Sequence, residues 1–118
     1  MKILSIVGAR PNFMKIAPFN NAIIKWNRKT DMENIKHIIL HTGQHYDQNM
    51  SSSFFDELKI PKPHINLGIG SGTHAEQIGK TMIAFEKIIS KEKPDWIVVV
   101  GDVNATLSCS IVAKKEQI

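Results

Sequence analysis

Three short apolar runs in this chain break off at a glycine: "KILSIV" before Gly8, "KHIILHT" before Gly43 and "WIVVV" before Gly101. Nothing else in the sequence restricts the fold as much. A continuous β-branched run with few polar positions is a strand covered on both faces, and such strands belong to parallel sheets. Between the runs the spacing turns helical. Phe13, Ile16, Phe19 and Ile23 share one face of the stretch 11–27, with Pro11 suited to a first helical turn. Pro18 is expected to kink or restart that helix, because its nitrogen cannot bond back one turn. A short helix is expected over 51–58 after a polar loop. A brief strand over 64–67 then leads through a Gly/Ser loop to Thr73 and Glu76, which have capping-box spacing. The helix they open carries Ile78, Met82, Phe85 and Ile89 on one stripe. A further helix follows "GDVNATL".

Strand and helix alternating with short connections imply right-handed crossovers and an α/β, Rossmann-like, doubly wound parallel sheet. In the order such sheets adopt, the first strand lies between the second and the fourth. By length, 118 residues make one domain, with no internal repeat or linker. "WIVVV" reads as a central strand with neighbours on both sides, yet the sequence reaches only one more helix and "KKEQI". The expectation is an incomplete amino-terminal domain spanning 1–118.

Composition narrows the function classes. Fifteen basic residues against 11 acidic give +4 without any basic stripe, which argues against a nucleic-acid partner and leaves anionic small molecules. Cys109 is the single cysteine, as suits a reducing cytoplasm. The apolar run at the start is too short for a signal-peptide core, and no run is long enough for a membrane span.

In an open parallel sheet, ligands bind beyond the carboxyl ends of the strands. "GARPN", "TGQHYD", "GIGSGTH" and "GDVNATL" are the segments that gather there. Arg10 offers a planar fork for phosphate oxygens, and Lys15 a mobile point charge; two solvated surface cations are the plain alternative. Asp102 can move a proton, hold a hydroxyl or cap the helix that follows. His37 and His41 share a strand face, but their spacing matches no compact ligand pattern, and no metal is expected. "GIGSGTH" has the form of an anion-binding loop before a helix N-terminus. Cys109 is expected to pack as a small apolar residue. A dinucleotide fingerprint and a G-x-x-x-x-G-K-[ST] loop are both absent.

"GARPNFMKIAP", "HTGQHYDQNMS", "FFDELKIPKPHINLGIGSGTHAEQ" and "KPDWIVVVGDVNATL" together resemble the non-hydrolysing UDP-N-acetylglucosamine 2-epimerases. That family is similar in fold to the two-domain GT-B glycosyltransferases. The resemblance implies a cytoplasmic isomerase of cell-surface polysaccharide biosynthesis, interconverting UDP-N-acetylglucosamine and UDP-N-acetylmannosamine by eliminating UDP and adding it back. It implies no cofactor and a homodimer. By motif it gives Asp102 a catalytic role, Arg10 and Lys15 substrate binding, and Gln44, His45 and Lys80 the binding of a second, activating nucleotide sugar. Asn12 stands where many members have glutamate. The later glutamates and the second-domain histidine of the family's catalytic set have no counterpart in this sequence, so this chain alone is not expected to turn over. Other readings are a non-catalytic nucleotide-sugar module and an epimerase of a related sugar such as UDP-diacetamido-glucuronate.

Overall fold

A computed structural model describes residues 1–43, 52–57 and 59–118. The element order is β1 (Lys2–Val7), α1 (Arg10–Lys29), β2 (Lys36–His41), α2 (Ser52–Glu57), β3 (Ile65–Asn66), α3 (His74–Glu92), β4 (Trp96–Val99) and α4 (Asn104–Lys115). The strands form one sheet in the order β3-β2-β1-β4, and every pairing is parallel. β1 therefore lies between β2 and β4, as the doubly wound order has it. Its register pairs Leu4 with Ile38 on one side and with Ile97 on the other.

Alternation along the strands divides the interior into two layers. Leu4, Ile6, Ile38 and Leu40 face Phe85 and Ile89 of α3 and Ala105, Cys109 and Val112 of α4. Val7 and Ile39 face Phe13 and Ile16 of α1, together with Phe55 and Ile60. Cys109 is fully buried in the first layer, where loss of hydration raises its thiol pKa to about 12. It packs as an apolar residue with no ready thiolate.

The local sequence explains most of these elements. The Thr73 hydroxyl accepts from Glu76 N at 3.1 Å, and the Glu76 carboxylate accepts from Thr73 N at 3.3 Å, completing the capping box. Lys93 ends α3 in the left-handed region at φ 47°. α1 runs through Pro18 without the restart that the sequence allowed. Pro18 and Met14 are both exposed residues, and on such a face water can take the place of the helical donor that proline lacks, which lowers the penalty. β4 is the edge of the sheet. Its residues are covered on both faces but only half-buried, with Trp96 63% exposed. Among the described residues no helix is long and apolar enough to cross a membrane.

His37 sits between layers of polar chemistry rather than at a site. Nε2 lies 2.7 Å from Ser5 Oγ and Nδ1 lies 2.8 Å from Asn20 Oδ1, and the ring packs edge-on against Phe19 at 5.4 Å. With Asn20 Oδ1 as acceptor, Nδ1 carries the proton and Nε2 accepts the Ser5 hydroxyl. Burial, and then the charge of His64, lower its pKa from 6.5 to about 4. The unfolded chain thus takes up a proton near pH 6.5 that the folded chain refuses until about 4. Stability is unaffected above that window and falls as pH drops through it. Allowing for solvent screening at a half-buried ring, the expected loss is about 1–2 kcal/mol between pH 7 and pH 4. An NMR titration of the His37 ring should give a midpoint near 4; a midpoint above 6 would contradict this environment.

Candidate functional site

The carboxyl ends of β1 and β4 turn into helices beside one another. Gly8 and Ala9 leave β1, and Arg10 is the first residue of α1. Asn12, third in that helix and 3% exposed, reaches back. Its Oδ1 accepts from Gly8 N at 2.8 Å and from Ala9 N at 2.9 Å, which satisfies two donors that a helix start leaves open. Its Nδ2 donates to Val100 O at 3.3 Å, in the turn after β4. From the other side, the Thr106 hydroxyl donates to Val100 O at 3.2 Å and to Gly101 O at 2.9 Å. Gly101 holds φ +79°, and a Cβ there would lie 3.2 Å from Asn12 Nδ2. The β4 turn is thereby fixed between α1 and α4.

Asp102 projects from that turn. It is exposed, and the residue at the helix N-cap is Val103, which supplies no side-chain cap. Among the described residues the Asp102 carboxylate has no hydrogen-bond partner. It is therefore not the helix cap that spacing alone allowed, and its oxygens are open to a ligand.

Arg10 is exposed at the start of α1, and Lys15 is exposed farther along the same helix. Five residues place the two stems about 140° apart around the axis, so the pair converges only through the length of the lysine side chain. Lys80 lies on α3, 4.0 Å from the Glu76 carboxylate one turn earlier. Gln44 and His45 lie outside the described residues.

The glycine segment before α3, read from sequence as an anion-binding loop, leads into a helix start that carries its own carboxylate. Glu76 already holds the helix N-terminus, and its pKa is lowered first by hydrogen bonds to Thr73 and then by Lys80. A carboxylate at that place competes with any incoming anion. The segment instead joins a polar chain that sequence reading missed. Gln77 Nε2 donates to Gly70 O at 3.2 Å, and Asn104 Nδ2 lies 3.1 Å from Gln77 Oε1 and 3.0 Å from His74 Nδ1. The stripe on α3 is thus polar at its site end, where Gln77 and Thr81 are buried.

His41 is 3% exposed, its ring 5.4 Å from Phe13, while His37 is engaged by Ser5 and Asn20. The two histidines therefore do not form a pair. Among the described residues no group of three or more His, Cys, Asp or Glu could hold a metal ion.

A sequence model of the family described as UDP-N-acetylglucosamine 2-epimerase matches residues 28–118. The chain belongs to this family. It is 48% identical over 118 residues to a UDP-N-acetylglucosamine 2-epimerase of Methanocaldococcus jannaschii, covering 100% of this chain and 30% of that protein. It is 45% identical to a UDP-2,3-diacetamido-2,3-dideoxy-D-glucuronate 2-epimerase of Pseudomonas aeruginosa, over 98% of this chain and 31% of the relative. The crystal structure of the Methanocaldococcus jannaschii epimerase in complex with UDP-GlcNAc and UDP superposes with a TM-score of 0.83, covering 100% of this chain and 31% of that one. The chain therefore spans about 30% of the length of the epimerases it matches.

Proposed function

We propose that this chain is the incomplete amino-terminal, Rossmann-like domain of a UDP-N-acetylglucosamine 2-epimerase. The reaction is interconversion of UDP-N-acetylglucosamine and UDP-N-acetylmannosamine by elimination and re-addition of UDP. One observation carries the reading. The Arg10 turn and the Asp102 turn are hydrogen-bonded together through Asn12 at the ligand-binding edge of the sheet, in a chain 48% identical to an epimerase whose structure holds UDP-GlcNAc and UDP.

Each residue has work in that reaction. A carboxylate at Asp102 takes the proton from C2, the C–H pair becomes the C1=C2 bond and the C1–O pair departs with UDP; adding a proton to the other face of C2 as the UDP oxygen bonds again to C1 inverts C2. Arg10 forks onto the diphosphate, which gains charge as it leaves, and Lys15 adds a second positive charge. Gln44, His45 and Lys80 bind a second, activating nucleotide sugar. The protein works in the cytoplasm as a homodimer.

The test is incubation of the whole protein with UDP-N-acetylglucosamine in D2O. Formation of UDP-N-acetylmannosamine with deuterium at C2 is the expected result. Conversion of UDP-2,3-diacetamido-2,3-dideoxy-D-glucuronate alone would move the substrate to the sugar of the Pseudomonas aeruginosa relative, which is 45% identical. UDP binding without turnover of either sugar would leave a binding module. Arg10→Lys is expected to weaken UDP binding about tenfold or more, since charge is kept and the fork is lost. Equal affinities by calorimetry would make Arg10 a surface cation.

A further inference from the structure

We propose that Asn12 is a positioning residue for the epimerase reaction: its carboxamide sets where the Asp102 turn stands relative to the Arg10 turn. The inference rests on the function proposed above and adds to it a residue that touches neither substrate nor reacting atoms. The last ladder pair between β1 and β4 is Ile6 with Val99. Beyond it, sheet pairing no longer fixes the two chains, and both functional turns lie beyond it. Asn12 spans that gap, with two bonds to the β1 turn and one to the carbonyl of Val100. Val100 stands two residues before Asp102.

The chemistry of the side chain fits the task closely. The position holds one planar group that accepts two N–H bonds and donates another, which a carboxamide does and an ionised carboxylate does not. A carboxylate of the same shape keeps the two accepted bonds and so keeps the Arg10 turn. It cannot donate to Val100, and it sets a charged oxygen against a carbonyl. Thr106 would still hold Val100 and Gly101 to α4. The Asp102 turn would remain attached to its own helix while losing its tie to the Arg10 turn. Gly101 completes the contact: lacking a Cβ, it lets Asn12 Nδ2 come to 3.2 Å from where that atom would sit.

Asn12→Asp and Gly101→Ala in the whole protein disturb this contact from its two sides, and Gly101→Ala carries in addition the backbone cost of a side chain at φ +79°. For each, kcat for epimerisation should fall about 10–100-fold, the scale of a displacement near 1 Å. UDP affinity by calorimetry should stay within about fivefold, because the Arg10 turn keeps its own bonds. Combining the two substitutions should cost no more than about threefold beyond the worse single variant, since both act through one contact. Asn12→Asp with kcat within twofold of the parent would overturn the proposal. So would kcat and UDP affinity falling together in step with the folded fraction, as for a residue that only holds the domain together. If Asn12→Asp does not fold, Gly101→Ala decides on the same two readouts. A parent protein that epimerises neither UDP-sugar would overturn the functional reading itself, whereas an active parent with an unaffected Asn12→Asp variant overturns the positioning role alone.

Discussion

Asp102→Asn in the whole protein is expected to lower kcat for epimerisation by about 10²–10⁴-fold, the usual contribution of a positioned proton-transfer group. UDP affinity should remain within about threefold of the parent. The contrast follows from how the residue is held. Its turn is anchored by main-chain acceptors, Val100 O and Gly101 O, to Asn12 and Thr106. None of those bonds uses the Asp102 side chain. An asparagine therefore keeps the turn, the volume and the exposure of the native residue and loses only the capacity to take a proton. The helix start is equally indifferent, because its N-cap position is Val103. Deuterium exchange at C2 of the sugar reads the proton step directly. Exchange within tenfold of the parent would assign the proton to another group and leave Asp102 as a binding residue.

The features legible in the sequence were those with local physical causes. Strand order follows from the doubly wound arrangement once "KILSIV", "KHIILH" and "WIVV" are read as strands alternating with helices. The Thr73–Glu76 cap depends on two side chains three residues apart, and of the four apolar residues spaced along α1, Phe13, Ile16 and Ile23 are buried and Phe19 is half-buried. The nearness of the Arg10 and Asp102 turns was legible to the same depth, since in a doubly wound sheet both follow the carboxyl ends of neighbouring parallel strands. The bonds between those turns were not. Asn12 engages Val100, 88 residues away, and no local pattern announces such a contact. Its only signal was a polar side chain at the third helical position, where back-bonding to the N-cap is common. Gln77 and Thr81 were missed for a similar reason: an apolar template over α3 selects Ile78 and Met82, while the interior at the site end is polar. Pro18 does not restart α1, since it and Met14 are exposed residues and a carbonyl without its helical donor is least costly where water can reach it.

Gly43→Ala should be the most damaging of the alanine substitutions at Gly43, Gly68, Gly70, Gly72, Gly79 and Gly101, costing about 3–5 kcal/mol. Past the end of β2 the chain continues to pair with the segment after β3. Leu67 N donates to His41 O at 2.9 Å, Ile69 N to Thr42 O at 3.0 Å and Gly70 N to Gly43 O at 2.8 Å. Gly43 adopts φ +79° to maintain this approach, and a Cβ would lie 2.9 Å from Gly68 Cα and 3.0 Å from both Gly68 N and Asn66 Oδ1. Two of those atoms are backbone and cannot swing aside. The segments must part, surrendering bonds from Leu67 to Gly70, in addition to about 1–2 kcal/mol for a side chain in the left-handed region. Gly68→Ala is the control. Its φ is +63°, yet nothing lies within 4 Å of the added carbon, so it should carry the conformational cost alone. Hydrogen exchange at the amides of Leu67, Ile69 and Gly70 localises the effect: protection should collapse in Gly43→Ala and largely survive in Gly68→Ala. Equal losses in the two variants would show that left-handed strain, not the close approach of the two backbones, is what reserves position 43 for glycine.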